Sequence, residues 1–481
     1  LAIALVLAGC AAPGASRLQG PPKDLPPSLS YVTADVLGFT LYDTTSKQMP
    51  DSWFEAIGMT TDDAQPWVGD HAGVAVRQLD VSDTGPDTTA LFTDVASRSK
   101  LETALENAGW EQSNDDLPDV NGEEAALWTH DPGCSDVPDG ARAICAPSTL
   151  AGTALAVFGD ALLLAPDQDG LTAFLKAADS YAVPERKAMR EYAVDVVHKV
   201  PVGAVFRTDL LRTGVRRPFQ DNPALLELAR WATESNVLVA ARDGWIGIAP
   251  AGDPKRKGEA RRLIGAFEWV PDLAPDIDWG EADRDMLDSF GPGADLAIAF
   301  ENPGQHLHEI VSGITRRNGQ YATDQDVKDD EREVELEPLL EELDGDAAIA
   351  RSQRSKRLEL RVAGAAAAAD DVKAAIRRTS LDATVTTAGD DLSIVVGPSE
   401  VSEYLLGVAR AADTMRAGRP PSPPIMWIWS KSIAGCTGPA AGWVSFDEIG
   451  EMTFSIDVTG PDRNTPPFAD GACSDVLLPT L

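Results

Sequence analysis

Patterns of side chains that could do covalent or acid–base chemistry are few in this chain, and their spacing decides which reactions they could support. Ser97-Arg98-Ser99-Lys100 fits the Ser-x-x-Lys pattern of serine acylation, but the Ser-Asp-Asn and Lys-Thr-Gly elements that complete that chemistry do not occur. Ser99 reads instead as a helix cap, with Glu102 placed to close a capping box. No Gly-x-Ser-x-Gly elbow and no Gly-x-x-x-x-Gly-Lys loop is present, so esterase and nucleotidase readings have no anchor. His306-Leu307-His308-Glu309 is the one histidine cluster. Residues two apart on a helix point to different faces, so these rings could share a metal only on an extended segment. Asp167-Gln168-Asp169-Gly170 echoes part of a calcium loop but lacks the ligand at the twelfth position, and reads as a turn leading into a helix. These residues define no catalytic group, metal site or cofactor.

The remaining reactive groups are five thiols. Leu1 to Gly9 form an apolar run that closes on Cys10, and Leu7-Ala8-Gly9-Cys10 resembles the lipobox of bacterial lipoprotein precursors. That resemblance implies a diacylglycerol on the Cys10 thiol and cleavage just before it. The run is too short to span a bilayer and fits a signal-peptide remnant. Export places the other four cysteines in an oxidising compartment. Cys134 and Cys145, and Cys436 and Cys473, form two sequence-local pairs in Gly/Pro/Asp-rich stretches, and the expected disulfides are Cys134–Cys145 and Cys436–Cys473. A zinc site is the alternative, and no Cys-x-x-Cys spacing supports it.

Acidic residues number 76 against 41 basic ones, giving a net charge of −35. Such a charge opposes contact with phosphate backbones and anionic membrane surfaces, which argues against nucleic acid as a partner. No other stretch approaches the ~20 apolar residues of a transmembrane helix, so the lipid is the expected hold on the membrane.

The elements that must position these groups follow in order. Residues 11–28 are rich in Ala, Pro, Gly and Ser and read as a semi-extended tether of ~50 Å at about 3.1 Å per residue. A strand is expected over Leu29–Val36, others at 72–76 and 90–93, then a helix carrying Leu101, Leu105 and Ala108 and stopped by Gly109. Residues 110–150 read as loop. A hairpin spans 154–164, a helix carries Leu171, Phe174 and Leu175, and a strand covers 202–206. A helix at 224–232 precedes a second hairpin, turning at Asp243-Gly244.

The same grammar then restarts. Leu296–Phe300, Gly345–Ala350, Leu358–Val362, the helix Asp371–Arg378 and Gly389–Pro398 repeat the earlier order. A helix with Val401, Tyr404, Leu405 and Val408 follows, and 425–429 and 452–456 complete the pattern. The expected fold is α+β, with two tandem related lobes, each a mainly antiparallel sheet with packed helices. The boundaries are 1–9 for the signal remnant, 10–28 for anchor and tether, 29–275 for the first repeat, 276–292 for a connector, and 293–481 for a second repeat ending in a disulfide-stapled hairpin. The acidic run from Asp324 to Glu331 reads as solvated. Tyr404, Trp427, Trp429 and Trp443 form an aromatic group that is either core packing or a lining for a glycan or lipid.

The stretches "LPPSLSYVTADV", "LFTDVASRSKLETALENAGW", "FGDALLLAPDQDGLTAFLKAA" and "VPVGAVFRTDLL" resemble a family of uncharacterised envelope proteins of high-GC bacteria, over most of residues 25–415. The family is a domain of unknown function, so the resemblance implies location and fold and no activity. The expected protein is a lipid-anchored extracytoplasmic lipoprotein with a non-enzymatic binding or assembly role among envelope proteins. The alternative is a carrier for a small hydrophobic or glycan ligand in a cleft between the lobes. A buried convergence of Ser, His and Asp would instead favour a hydrolase.

Overall fold

A computed structural model of the chain describes residues 24–46, 51–77, 89–130, 153–207, 241–250, 260–270, 279–289, 296–306, 343–352, 357–378, 383–396, 420–430, 440–447 and 450–459. These fall into two compact units: the described residues up to 207 together with Asp243–Gly247, and those from Ile248 onward together with Ala241 and Arg242. Both are mixed α+β structures dominated by antiparallel strands. No helix among the described residues is long and apolar enough to cross a membrane.

The first unit contains β1 (Gly38–Asp43), β2 (Val68–Val76), β3 (Thr89–Val95), β4 (Glu111–Gln112), β5 (Ala126–Thr129), β6 (Ala154–Val157), β7 (Ala161–Ala165) and β8 (Val202–Phe206). They pair in the order β8-β1-β2-β3-β7-β6-β5-β4, every pair antiparallel. Alternation assigns Val74, Leu91, Leu155, Leu162 and Leu164 to one face. That face is covered by α1 (Asp51–Glu55), α2 (Thr61–Ala64) and α3 (Arg98–Asn107), with Trp53, Trp67, Trp110 and Leu105 packed into the core. The alternate residues Ala75, Phe92, Ala156 and Leu163 are buried as well. Accordingly β7 and β8 read as continuous apolar runs, the signature of strands covered on both faces. Helix α4 (Gln168–Ser180) packs on β6 and β7, and α5 (Lys187–Lys199) on β8.

β9 (Ala241–Pro250) contributes Asp243–Gly247 to this unit. The hairpin expected at Asp243-Gly244 is therefore replaced by one straight strand. Asp243 is buried and ion-paired to Arg186, and Gly247 lies where a Cβ would fall 2.4 Å from a Val200 methyl, so contacts with the two residues that flank α5 fix the strand through the expected turn.

The second unit holds β10 (Ala260–Trp269), β11 (Leu296–Glu301), β12 (Asp346–Ser352), β13 (Arg357–Val362), α6 (Ala369–Arg378), β14 (Ala383–Ala388), β15 (Asp391–Val396), β16 (Met426–Ser430), β17 (Ala440–Phe446) and β18 (Met452–Thr459). The antiparallel order is β10-β18-β17-β16-β11-β12-β13-β15-β14. Strand β10 falls within the bounds 29–275 expected for the first repeat and is registered against β18, with Arg262 opposite Asp457 and their ion pair at 2.7 Å. Residues of the expected connector also pack here: Leu287 is buried against Ala297 and Ala299.

One cross-sheet row of the first unit runs Val157, Leu162, Thr93, Ala72, Tyr42, Val202. Its counterpart in the second runs Thr387, Leu392, Val362, Ala347, Phe300, Met426. Three residues along, Ala75, Phe39 and Val205 match Ala350, Ala297 and Trp429. Strand order and register thus coincide over six strands of each unit.

Two local expectations are corrected. The segment Leu29–Val36 is not a strand: Pro27–Tyr31 is a 3-10 turn with proline in its first turn, and the strand begins at Gly38. Helix α3 has Ser97 at its N-cap with no side-chain cap bond, and Glu102 pairs with Arg98 instead of closing a box with Ser99. A reciprocal capping box does occur at Thr60 and Asp63, ahead of α2.

Candidate functional site: a polar clamp on the first segment

A buried convergence of serine, histidine and aspartate does occur, in the first unit. Asp94, near the end of β3, accepts hydrogen bonds at Oδ1 from Ser28 N (3.0 Å) and Ser28 Oγ (2.6 Å). Its other oxygen, Oδ2, lies 3.2 Å from His71 Nδ1 on β2. Thr93 Oγ1 donates to the His71 carbonyl at 3.0 Å and holds that backbone in place. The strands approach so closely at Gly69 that a Cβ there would fall 2.6 Å from Asp94 Cβ.

The wiring decides the chemistry. Triad-type serine chemistry needs a histidine that touches the serine oxygen and an acid behind the histidine. Here the aspartate stands in the middle, and Ser28 and His71 use its opposite oxygens. Ser28 is fully buried, with its hydroxyl proton committed to a carboxylate. The arrangement fastens the Pro27–Tyr31 turn to β3.

The next residues are fastened in the same way. Tyr31 stacks on Phe158 with ring centroids 3.9 Å apart, and its Oη reaches Glu123 Oε2 at 2.7 Å and Asp160 Oδ1 at 3.1 Å. Glu123 is presented by a tight turn in which Asn121 (φ 56°) and Gly122 (φ 80°) are left-handed, and Asn121 Nδ2 donates to the Ser30 carbonyl. One phenolic proton faces two carboxylates. Burial, and then the Glu123 hydrogen bond, hold the phenol well above its ordinary pKa. Burial is also the leading cause of the raised Asp160 carboxyl. Further along, Ala34 N donates to the Tyr181 carbonyl at 2.8 Å, and Asp35 pairs with Arg77 at 2.9 Å.

Other sequence-singled residues are placed differently. Ser99 and Lys100 are exposed in the first turn of α3. Asp167 caps α4, accepting from Gly170 N at 2.7 Å. The His306 ring sits between Trp279 and Phe300, at centroid distances of 4.9 and 5.3 Å, and burial drives its pKa down to about 4. Trp427 and Trp443 are direct cross-strand partners, and Trp429 lies two residues along the same face. Trp427 donates to the Ala282 carbonyl and carries Arg284 5.6 Å above its ring, while Trp429 and Trp443 are buried. Their register against Ala299, Ala297 and Ala441 makes an alanine floor under the indoles. Leu7, Ala8, Gly9, Cys10, Cys134, Cys145, Tyr404, Cys436, Cys473, His308 and the helices expected at 224–232 and 401–415 lie outside the described residues. Among the described residues, no group of three or more His, Cys, Asp or Glu is arranged to hold a metal ion.

Sequence reading missed the clamp because its members are far apart in the chain and of ordinary type. The available signal was the Pro26-Pro27-Ser28 start, which fits a turn better than a strand.

By class, the chain is an antiparallel α+β protein. No protein-family model and no curated protein sequence matches it. Among solved structures it is similar to one titled "Structure of crystal form III of TP0453", with 12% identity over 39% of this chain and 84% of that one and a TM-score of 0.22.

Proposed function

We propose that this chain is a lipid-anchored lipoprotein on the extracytoplasmic face of the membrane, built from two related α+β lobes, with a non-enzymatic binding or assembly role in the cell envelope. The lobes descend from one ancestral unit; the coincident strand order and register support this. The observation that supports the non-enzymatic reading is the wiring of Ser28, Asp94 and His71, which fastens a chain segment and turns the histidine to the far oxygen of the carboxylate and away from the serine. That segment directly follows the tether, so the clamp sets where the body hangs from its anchor. Cys10, with the lipobox residues Leu7, Ala8 and Gly9, supplies the anchor.

The test is membrane fractionation of cells producing the wild type and Cys10→Ala. Cys10→Ala should leave the membrane fraction or accumulate as an uncleaved precursor. Unchanged membrane association and unchanged mass would overturn the anchoring. Crosslinking from the tether in cells then identifies the envelope partners.

A further inference from the structure

The two units finish their sheets differently. In the first, the outer edge of β6 is covered by β5, with Leu155 opposite Trp128 and Val157 opposite Ala126. The two-residue β4 then ends that sheet with exposed Glu111 and Gln112, a short polar edge of the kind that discourages further pairing. The strand in the same position of the second unit is β14, since Gly389-Asp390 and Leu392 stand where Gly159-Asp160 and Leu162 stand. Among the described residues no strand pairs with the outer edge of β14. Its sequence, Ala-Thr-Val-Thr-Thr-Ala, has no charge, proline or bulge, and Thr384, Thr386, Thr387 and Ala388 are exposed. Within β14 itself none of the residue-level protections of an edge, a charge, a proline or a bulge, is present.

Which backbone groups are free follows from the hairpin. The two-residue turn at Gly389 (φ 65°) and Asp390 closes on the pair Ala388 and Asp391, so hydrogen-bonded pairs to β15 fall at 388, 386 and 384. Ala383, Val385 and Thr387 therefore aim their N–H and C=O groups outward. These three positions are symmetric about Val385, and Thr384-Val385-Thr386 reads the same in both directions.

We propose that β14 pairs with β14 of a second copy of this chain, antiparallel about a two-fold axis at Val385. That register uses every outward backbone group: Val385 faces its own copy, and Ala383 faces Thr387 of the partner strand in both senses. Thr384 then meets Thr386 across the closer-spaced, non-hydrogen-bonded pairs, where threonines are favourable neighbours. No like charges face each other within the strand. The strand pair alone buries much less than the ~1,600 Å² of a standard interface, so the dimer is weak, and the net charge of −35 on each copy makes it stronger in salt.

The test is sedimentation of the full chain from about 1 μM to 1 mM, a range that spans weak association. Wild type should self-associate to a dimer. Val385→Pro removes an outward N–H while leaving every β14–β15 hydrogen bond, and should weaken dimerisation by about tenfold or more. The pair Thr384→Lys with Thr386→Lys sets like charges opposite each other and should have a similar effect, whereas Thr384→Lys with Thr386→Glu should restore association. The last two variants alter only exposed side chains, so they test the interface even where proline disturbs the hairpin. Wild type that stays monomeric over the whole range would overturn the proposal, as would a like-charge variant that dimerises as wild type does.

Discussion

Asp94 shows how one buried carboxylate can organise a turn of chain far from it in sequence. It satisfies two donors of Ser28 and faces His71, so Asp94→Ala leaves buried polar groups without partners and should cost roughly 2–3 kcal/mol. Urea unfolding would measure the loss, and a change under 0.5 kcal/mol would mean that water replaces the carboxylate at about the value of an ordinary surface site. His306 makes a pH prediction with a definite sign. Its folded pKa, about 4, lies below the ordinary histidine value of 6.5, so the unfolded chain binds the proton first as pH falls. Its contribution is complete above pH 6.5 and is lost progressively down to about 4, amounting to roughly 3 kcal/mol at most. His306→Phe should flatten the stability profile in that window relative to wild type; parallel profiles would refute the assignment. Gly73 carries the opposite lesson, of space rather than charge. A Cβ there would sit 1.9 Å from the Thr40 carbonyl oxygen, while Ala348, at the equivalent register in the second unit, has its methyl accommodated.

Helix termini give the clearest test among the elements. Asp167→Ala removes a cap bond to Gly170 N and should cost about 1 kcal/mol, whereas Ser99→Ala should stay within about 0.5 kcal/mol because Ser99 lies inside α3. Chemical denaturation of the two variants side by side settles the pair of values. Legibility in sequence divided along physical lines. The apolar runs of β7 and β8 and the stripe of α3 were readable because one force, burial, sets their pattern. Helix α5 is harder to read although Met189, Tyr192, Ala193 and Val196 keep helical spacing, because Arg190, Glu191 and Asp195 interrupt the apolar positions. Strand β5 lies in a stretch with a loop-like sequence and β14 carries no strand signature, since four residues, or six that are half threonine, give little periodicity. Asp243-Gly244 carries a strong turn signature, and only the tertiary ion pair to Arg186 shows why the strand continues.

For the whole molecule, the test of compartment is thiol counting on denatured, unreduced protein. Cys134, Cys145, Cys436 and Cys473 should all be unreactive, and the bridge Cys134–Cys145 alone should contribute roughly 3 kcal/mol by shortening the unfolded chain's freedom. Four reactive thiols, or a bridge linking the first pair to the second, would refute the local pairing. The doubled register was partly legible, as a recurring order of glycines and apolar runs, whereas the difference at the sheet ends was not, because an edge is defined by what fails to pair with it. The clamp on residues 28–35 has a mechanical consequence. A pull delivered through the chain ahead of Leu25 reaches β3 through Asp94, the Asn121 turn through Ser30, the β6–β7 turn through Asp160, the end of α4 through Tyr181, and Arg77 beyond β2, over eight consecutive residues. Such a joint cannot be unzipped one bond at a time from its end without loading separate elements together, so tension applied there is shared by the sheet before any strand is peeled away.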